Sequence, residues 1–517
     1  MPHTPKQKKT QPRKSSAYCG CEWLDVPYAL QLKRKNEYMR ELFTDVLAAQ
    51  GTSCEETLQD IVAMDTHGKE APMHFRYKIA TPFARAETSV IGQRKSRAKD
   101  RTQRGKDACA LRKKAAKTSG IACGFYEPGT HHIVPCKSCP SEATGAREIL
   151  NGIAEKAALL GIEAYDEDSC TGVLRHAILR ISKSSGEIML VLVTRVRNFP
   201  QKKALVRDIL RSFPQITTVV QNVNARNTNA MLGSYNITLF GPGKIRDTLL
   251  GCTFEIGPCS FFQTNPEQTE TLYQIAIDGV RTCCETRGKE MRKPRKRKTA
   301  AQAKALHTDD MLRIMDSYCG CGTIGICLAS QLQNTVVVGI DQVEDPIERA
   351  RRNRKINHLG SRCVYSLDDA THFMQDFVYA ANAKTEAHSS AESSEDTRGC
   401  TPRFDAIIMD PPRAGSTPEF IAGACALAPR CIVYISCNPR TQARDLAEFW
   451  RRGYKVKRIT PVDMFPHTPH VETVALLSKL NTEHHLDIEI GEDELSEIDF
   501  SKDATYGEIK KLSLIHI

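Results

Sequence analysis

Three strand-like runs each carry, at one end, a side chain able to do chemistry. "VYISCNPRT", residues 433–441, is an apolar run that delivers Cys437 between polar neighbours, after which Pro439 stops helix growth and fixes the turn. "FDAIIMDPPRAG", residues 404–415, delivers Asp410 ahead of two prolines that hold a rigid extended turn. "PVDMFPHTPHVETVALL", residues 461–477, offers Glu472 at the start of the last apolar strand, with His467 and His470 nearby. Most of the 20 cysteines read as small buried apolar residues. A thiol at a polar strand end differs, because activated cysteines occupy polar, partly open sites. Glu472 alone would read as a surface carboxylate; in company with Cys437 and Asp410 it reads as a general base. A nucleophile and a base together equip a site for covalent catalysis, which divides one hard step into two.

A second group of residues fits a nucleotide. "MLRIMDSYCGCGTIGICLAS", residues 311–330, is an apolar run, a Gly-rich turn and an apolar helical stretch, in which Gly320, Gly322 and Gly325 satisfy G-x-G-x-x-G. "TVVVGID" then ends a second strand on Asp341, where a carboxylate would accept hydrogen bonds from ribose hydroxyls. These features suit an adenosine-containing cofactor and do not separate NAD from S-adenosylmethionine. The Asp-Pro-Pro turn does, since it is familiar from methyltransferases and a dehydrogenase has no need of it. Enzymes that methylate exocyclic amines usually follow this turn with an aromatic residue, whereas here Arg413 follows.

The elements that must bring these ends together are those of an open α/β sheet, which binds ligands at the carboxyl ends of its strands. At 517 residues the chain exceeds one hydrophobic core. Residues 171–260 are β-rich, with "HAILRIS", "EIMLVLVTR" and "TTVVQNV" alternating between polar turns, as in a compact α+β middle domain. Basic tracts occupy residues 92–117 and 287–304, a polar Ser- and Glu-rich stretch at 383–399 reads as a disordered loop, and an acidic tail follows residue 480. The net charge of +11 suits a polyanionic partner. No apolar run reaches the ~20 residues of a membrane span, and residues 1–18 lack the apolar core of a signal peptide. A cytoplasmic chain with reduced thiols and no membrane partner is expected.

"DSYCGCGTIGICLA", "DPPRAG", "SCNP" and "DMFPHTPHVETV" occur in the order seen in RNA (uracil-5-)-methyltransferases. With "FFQTNPEQTE", residues 261–270, the resemblance covers most of residues 120–478. It implies methylation of uracil C5 in RNA, with S-adenosylmethionine as cofactor. C5 of uracil is too weakly nucleophilic to attack a sulfonium methyl, so a thiolate first adds to C6, and the C5 proton must later be removed. By the resemblance the nucleophile is Cys437 and the base Glu472; the cofactor and target-base positions fall on Gln263, Tyr318, Asp341 and Asp410, with Asp369 beside the adenine. The target uridine would be extruded into the pocket, at a cost of a few kcal/mol, roughly, of unstacking.

Several members of that family hold a [4Fe-4S] cluster on four N-terminal cysteines. Here "YCGCEWLDVPYALQLKRK" and "HHIVPCKSCP" resemble the ligand segments, so the resemblance implies Cys19, Cys21 and Cys139 as ligands. Cys19 and Cys21 are two apart rather than three, and no cysteine precedes Cys19, so Cys123 or Cys136 would supply the missing thiolate. Residues 1–18 are too few for the small β-barrel with which some members begin, which leaves RNA affinity to the middle domain and the basic insertions.

The expected architecture is α/β: a C-terminal Rossmann-like S-adenosylmethionine methyltransferase sheet, a β-rich α+β middle domain and a small Cys-containing N-terminal module. The expected boundaries are a basic tail at 1–18, the N-terminal module at 19–140, the middle RNA-binding domain at 141–262, the methyltransferase domain at 263–480 with insertions near 285–308 and 380–402, and an acidic tail at 481–517. The expected substrate is ribosomal RNA, because cluster-type N-terminal segments go with that branch, with transfer RNA as the alternative; the chain is expected to be a monomer. A catalytically silent RNA-binding protein and an N-methyltransferase are the rival readings, and intact Cys437, Glu472 and Asp410 argue against the first.

Overall fold

The structure, a computed structural model, describes residues 21–86, 120–291 apart from 128 and 229, 311–389 and 404–480. Cys19, both tails and the insertion at 92–117 lie outside the described residues. The chain begins with α1 (Tyr28–Ala48) and α2 (Cys54–Thr57), then β1 (Lys78–Arg85), β2 (Ile121–Tyr126) and β3 (Ile133–Pro135). There follow α3 (Ala146–Leu159), β4 (Leu174–Ile181), β5 (Ile188–Thr194), α4 (Lys202–Ser212), β6 (Ile216–Val223), β7 (Tyr235–Phe240) and the hairpin of β8 (Ile245–Leu249) with β9 (Cys252–Ile256).

Strands β1 to β7 form one seven-stranded mixed sheet in the order β3-β2-β1-β4-β5-β6-β7. The boundary expected at residue 140 therefore runs through a single sheet. Every residue of its central strand β5 is buried, because helices α3 and α4 cover one face and the second sheet's core reaches the other.

The second half contains α5 (Pro266–Met291), β10 (Leu312–Asp316), α6 (Thr323–Gln331), β11 (Thr335–Asp341), α7 (Glu344–Ile356), β12 (Cys363–Leu367) and α8 (Ala370–Ser389). It closes with β13 (Ala406–Met409), α9 (Pro418–Ala426), β14 (Cys431–Ser436), α10 (Pro439–Arg451), β15 (Tyr454–Val462) and β16 (Glu472–Lys479). The second basic tract begins inside α5, and the stretch expected as a loop at 383–399 is helical as far as Ser389; residues 390–403 lie outside the described residues.

These strands build a seven-stranded sheet in the order β12-β11-β10-β13-β14-β16-β15. Strands β10 to β14 are parallel, while β16 inserts antiparallel between β14 and β15. The order reverses at β10, the switch point where such sheets bind ligands. The N-terminal residues pack on this sheet too: Leu58 bridges Ile459 and Val62 bridges Val462.

Buried polar contacts fix α1 in place. The Lys35 ammonium bonds Asp463 at 2.5 Å and the Phe465 carbonyl at 3.1 Å, and the Tyr28 hydroxyl donates to Asp463 at 2.8 Å. Both members of the Lys35–Asp463 pair are fully shielded from solvent. No described helix is long and apolar enough to cross a membrane.

Candidate active site

The parallel strands put Asp316, Asp341, Asp410 and Cys437 at or just past the carboxyl ends of β10, β11, β13 and β14. Strand β16 runs the other way, so its first residue, Glu472, lies on that same edge. Register closes the last gap: Ser436 pairs with Thr473, which makes Cys437 and Glu472 the next opposed positions. Opposed residues of an antiparallel pair project to the same side.

Pro439 was expected to stop helix growth, and instead it starts a helix. Asn438 is the N-cap, its side chain accepting from Arg440 N–H at 3.3 Å, and Pro439 takes the first helical turn, where no N–H is needed. The same helix start grips the Asp-Pro-Pro-Arg turn. The Arg413 carbonyl accepts from Asn438 Nδ2 at 3.0 Å and Thr441 Oγ1 at 3.3 Å. Gly415 sits in that turn with φ +77°, and a Cβ there would lie 2.6 Å from an Asp445 carboxylate oxygen.

Cys437 is half-buried and forms part of a cleft of about 520 Å³ with Arg413, Asn438, His470 and side chains from the N-terminal residues. Burial, then Glu472, then Asp410 push its thiol up, while the charge and hydrogen bond of Arg413 pull it down. Glu472 is buried, and burial together with Asp410 holds its carboxyl well above the usual carboxylate range. Burial raises Asp410 to about 7 even though the residue keeps a partly exposed edge. Burial thus favours the uncharged form of all three groups, and a carboxyl with a raised pKa becomes a stronger base once ionised.

The Gly-rich turn has the cradle form. Gly322 has φ +80°, and a Cβ there would meet the Tyr365 hydroxyl at 2.5 Å. Asp341 spans the turn, accepting from Gly320 N–H at 3.1 Å and Val343 N–H at 2.9 Å. Tyr318 lies beyond β10 against Phe420, ring centroids 5.2 Å apart, and burial raises its phenol to about 12. Asp369 is exposed and caps α8, accepting from Thr371 N–H at 2.9 Å and His372 N–H at 3.2 Å. Gln263 does not line the cleft with Cys437; it is buried in a small recess with Lys78 and Arg180, on a loop whose Phe261 carbonyl accepts from the Cys321 thiol of the Gly-rich turn.

His467 is structural. Its Nδ1 accepts from Gln31 Nε2 at 3.2 Å, so Nε2 carries the proton and donates to the Pro72 carbonyl at 2.8 Å. Two residues escaped the sequence reading. Asp316 is buried at the end of β10; Oδ2 accepts from Gly325 N–H at 3.2 Å, while Oδ1 is buried without a partner. Burial, Asp410 and Asp341 raise it to about 7. An orphaned carboxylate oxygen beside a glycine cradle fits the ammonium of an amino-acid moiety. The signal was an acidic residue closing the strand before the Gly-rich turn. Arg413 was noticed only as the residue standing where an aromatic was expected.

Away from the cleft, Cys21, Cys136 and Cys139 are buried in one cluster with Leu24 and Phe125 packed against it. The Ser141 hydroxyl lies 3.5 Å from Cys21 Sγ and 3.1 Å from Cys139 Sγ. Cys123 neighbours Cys136 across the β2–β3 ladder, its carbonyl accepting from Cys136 N–H at 3.1 Å, while its thiol donates to Asn151 and packs in the middle-domain core. Among the described residues no group of three His, Cys, Asp or Glu side chains is arranged to hold a metal ion.

A Rossmann-like sheet with a glycine cradle and acidic residues along the carboxyl ends of its strands is the arrangement of an S-adenosylmethionine-dependent methyltransferase. The comparisons with known proteins agree. The family model described as tRNA (Uracil-5-)-methyltransferase matches residues 298–480. The chain is 30% identical over 463 residues to an uncharacterized RNA methyltransferase of Halalkalibacterium halodurans, covering 89% of this chain and 81% of that one. A Bacillus cereus RNA methyltransferase is likewise 30% identical over 461 residues, with the same shares covered. Among solved structures, the Pyrococcus abyssi tRNA (uracil-54, C5)-methyltransferase in complex with S-adenosyl-L-homocysteine has a TM-score of 0.57 and 25% identity, covering 89% of this chain and 85% of that one. The chain belongs to the RNA (uracil-5-)-methyltransferase family.

Proposed function

We propose that this chain forms 5-methyluridine in ribosomal RNA, with Cys437 as nucleophile and Glu472 as base. The opposition of Cys437 and Glu472 one step beyond the Ser436–Thr473 pair carries this reading. The Cys437 thiolate adds to C6 of the uridine, and electron density moves to C5. C5 then takes the methyl group that bound S-adenosylmethionine would supply, with S-adenosylhomocysteine as the leaving group; Asp316, Asp341, Tyr318 and Asp369 would hold the cofactor, with Gln263 at its loop. Glu472 takes the C5 proton, the C5–C6 double bond reforms and the thiolate leaves. Arg413 stabilises the thiolate, and the charge of Asp410 acts on both Cys437 and Glu472.

The ribosomal assignment rests on the cysteines. Cys21, Cys136 and Cys139 share one buried cluster, and Cys19, which lies outside the described residues, would supply a fourth thiol, the number a [4Fe-4S] cluster takes in most cases. The three described thiols are of the donor type such a group takes, but they are packed in one apolar cluster and are not arranged to hold a metal ion, so the [4Fe-4S] cluster rests on the resemblance of the two cysteine segments. Transfer RNA is the second reading, favoured by the likeness to the Pyrococcus abyssi enzyme. Mass-spectrometric mapping of 5-methyluridine in RNA from cells with and without the gene tests both: loss of a ribosomal site supports the proposal, loss in transfer RNA supports the second reading, and no change overturns both.

A further inference from the structure

The cleft that holds Cys437 is not built by the methyltransferase sheet alone. Trp23, Arg34 and Tyr38 come from the N-terminal residues and line it together with Arg440 of α10. Both rings are half-exposed, and both arginines are exposed. The Arg34 guanidinium lies 5.8 Å from the Trp23 ring centroid, and Arg440 lies 5.8 Å from that of Tyr38. Arg440 Nε also donates to the Tyr38 hydroxyl at 3.2 Å.

This wall is held rigidly. Trp23 N–H donates to the His467 carbonyl at 2.9 Å, and the Trp23 carbonyl accepts from Gln31 Nε2 at 3.1 Å. His467 N–H in turn donates to Gln31 Oε1 at 2.7 Å, which ties the wall to the loop preceding Glu472. The neighbouring Lys35 is committed to the buried Asp463, so the charge available on the wall is that of the arginines. Extruding a uridine leaves its neighbours without a stacking partner. Planar rings paired with guanidinium groups match single-stranded RNA, whose bases stack on aromatics while its phosphates meet cations.

We infer that Trp23 and Tyr38 stack on the nucleotides flanking the target uridine, and that Arg34 and Arg440 hold their phosphates. The inference rests on the proposed RNA reaction and extends it: the N-terminal residues read the RNA beside the reacting base, a task that the sequence had left to the middle domain and basic insertions. Trp23 and Tyr38 are positioning residues, since they reach the reacting atoms only through the RNA.

The test uses the full chain and a short single-stranded RNA oligomer centred on a uridine. Affinity is measured in a Cys437→Ala background, which forms no adduct, and 5-methyluridine formation is followed separately in otherwise wild-type protein. Trp23→Ala and Tyr38→Leu are each expected to weaken oligomer binding by roughly 5- to 150-fold, with S-adenosylhomocysteine affinity unchanged. Trp23→Phe and Tyr38→Phe keep a ring and stay near the parent. Arg34→Gln and Arg440→Gln each lower the salt dependence of binding by about one phosphate contact. Unchanged oligomer affinity in both ring variants overturns the inference. Should one ring variant also lose S-adenosylhomocysteine binding, through misfolding, the other ring variant and Arg440→Gln decide by the same criteria. Failure of the wild-type enzyme to methylate any RNA defeats the reaction instead, while the oligomer affinities still judge the wall.

Discussion

Cys437 and Glu472 stand opposite each other one step past the Ser436–Thr473 pair, on strands that run in opposite directions. An antiparallel strand inserted into a parallel sheet brings the start of one strand to the ends of the others. A residue 35 positions later in the chain thereby becomes the thiol's partner.

Separate roles for the two residues predict separate failures. Cys437→Ala should abolish 5-methyluridine formation and leave no covalent complex. Glu472→Gln should slow turnover by about 10²- to 10⁴-fold, the usual worth of a general base, and accumulate an RNA–protein adduct that survives denaturing electrophoresis. A fully active Glu472→Gln enzyme would remove Glu472 from the mechanism.

The Arg413 charge opposes the burial and carboxylates that raise the Cys437 thiol. Removing it in Arg413→Ala should move the thiol still higher, so that the pH profile of iodoacetamide alkylation shifts to higher pH and the rate at neutral pH falls. Glu472→Gln, which deletes a carboxylate beside the thiol, should shift the profile the other way. Identical profiles for the three proteins would show that neither group touches the thiol's ionisation.

Asp316 and Asp410 each titrate at about 7 when folded, against an ordinary carboxylate value of 3.8. The folded chain therefore holds more protons than the unfolded one between those values, and its stability without cofactor should fall as pH rises through that window. A bound ammonium and sulfonium favour the ionised carboxylates. S-adenosylmethionine affinity should accordingly rise with pH up to about 7, with proton release on binding that calorimetry in buffers of different ionisation enthalpy can read. Asp316→Asn should weaken binding by about 10- to 100-fold, the worth of a charged hydrogen bond, and flatten the pH dependence.

The Lys35–Asp463 pair is fully shielded, and breaking such a pair leaves an uncompensated buried charge. Lys35→Met should destabilise the protein by about 3–5 kcal/mol, seen as a lower unfolding midpoint. The double variant Lys35→Met, Asp463→Leu should recover part of that loss, since no lone charge remains.

The proposed [4Fe-4S] cluster, with Cys21, Cys136 and Cys139 among its ligands, predicts iron. Protein purified without oxygen should carry iron and acid-labile sulfide, and Cys136→Ser or Cys139→Ser should lose both. Cys123→Ser should retain them, because that thiol, although its backbone pairs with Cys136, donates to Asn151 and packs in a different core cluster. An iron-free wild-type protein would return the cysteines to plain packing and remove the support for a ribosomal substrate.

The sequence by itself determined the nucleotide-binding half. A strand, a Gly-rich turn and a helix are local patterns, as are Asp341, Asp410 and Cys437 at the ends of apolar runs, and such patterns are written within a few residues of chain. Tertiary structure decided what depends on partners distant in sequence. Pro439 reads alone as a break, and only the cap formed by Asn438 makes it the first turn of α10. Asp316 reads as one more acidic residue until burial and Asp410 raise it and one of its oxygens is left without a partner. Residues 78–135 read as part of an N-terminal module, yet their strands complete the sheet of β4 to β7, because edge strands recruit partners by backbone hydrogen bonds that carry little side-chain signature. Trp23 and Tyr38 reach the cleft through contacts made more than 400 residues apart: the buried Lys35–Asp463 pair holds α1 against the loop before Glu472, and Trp23 N–H bonds the His467 carbonyl of that loop.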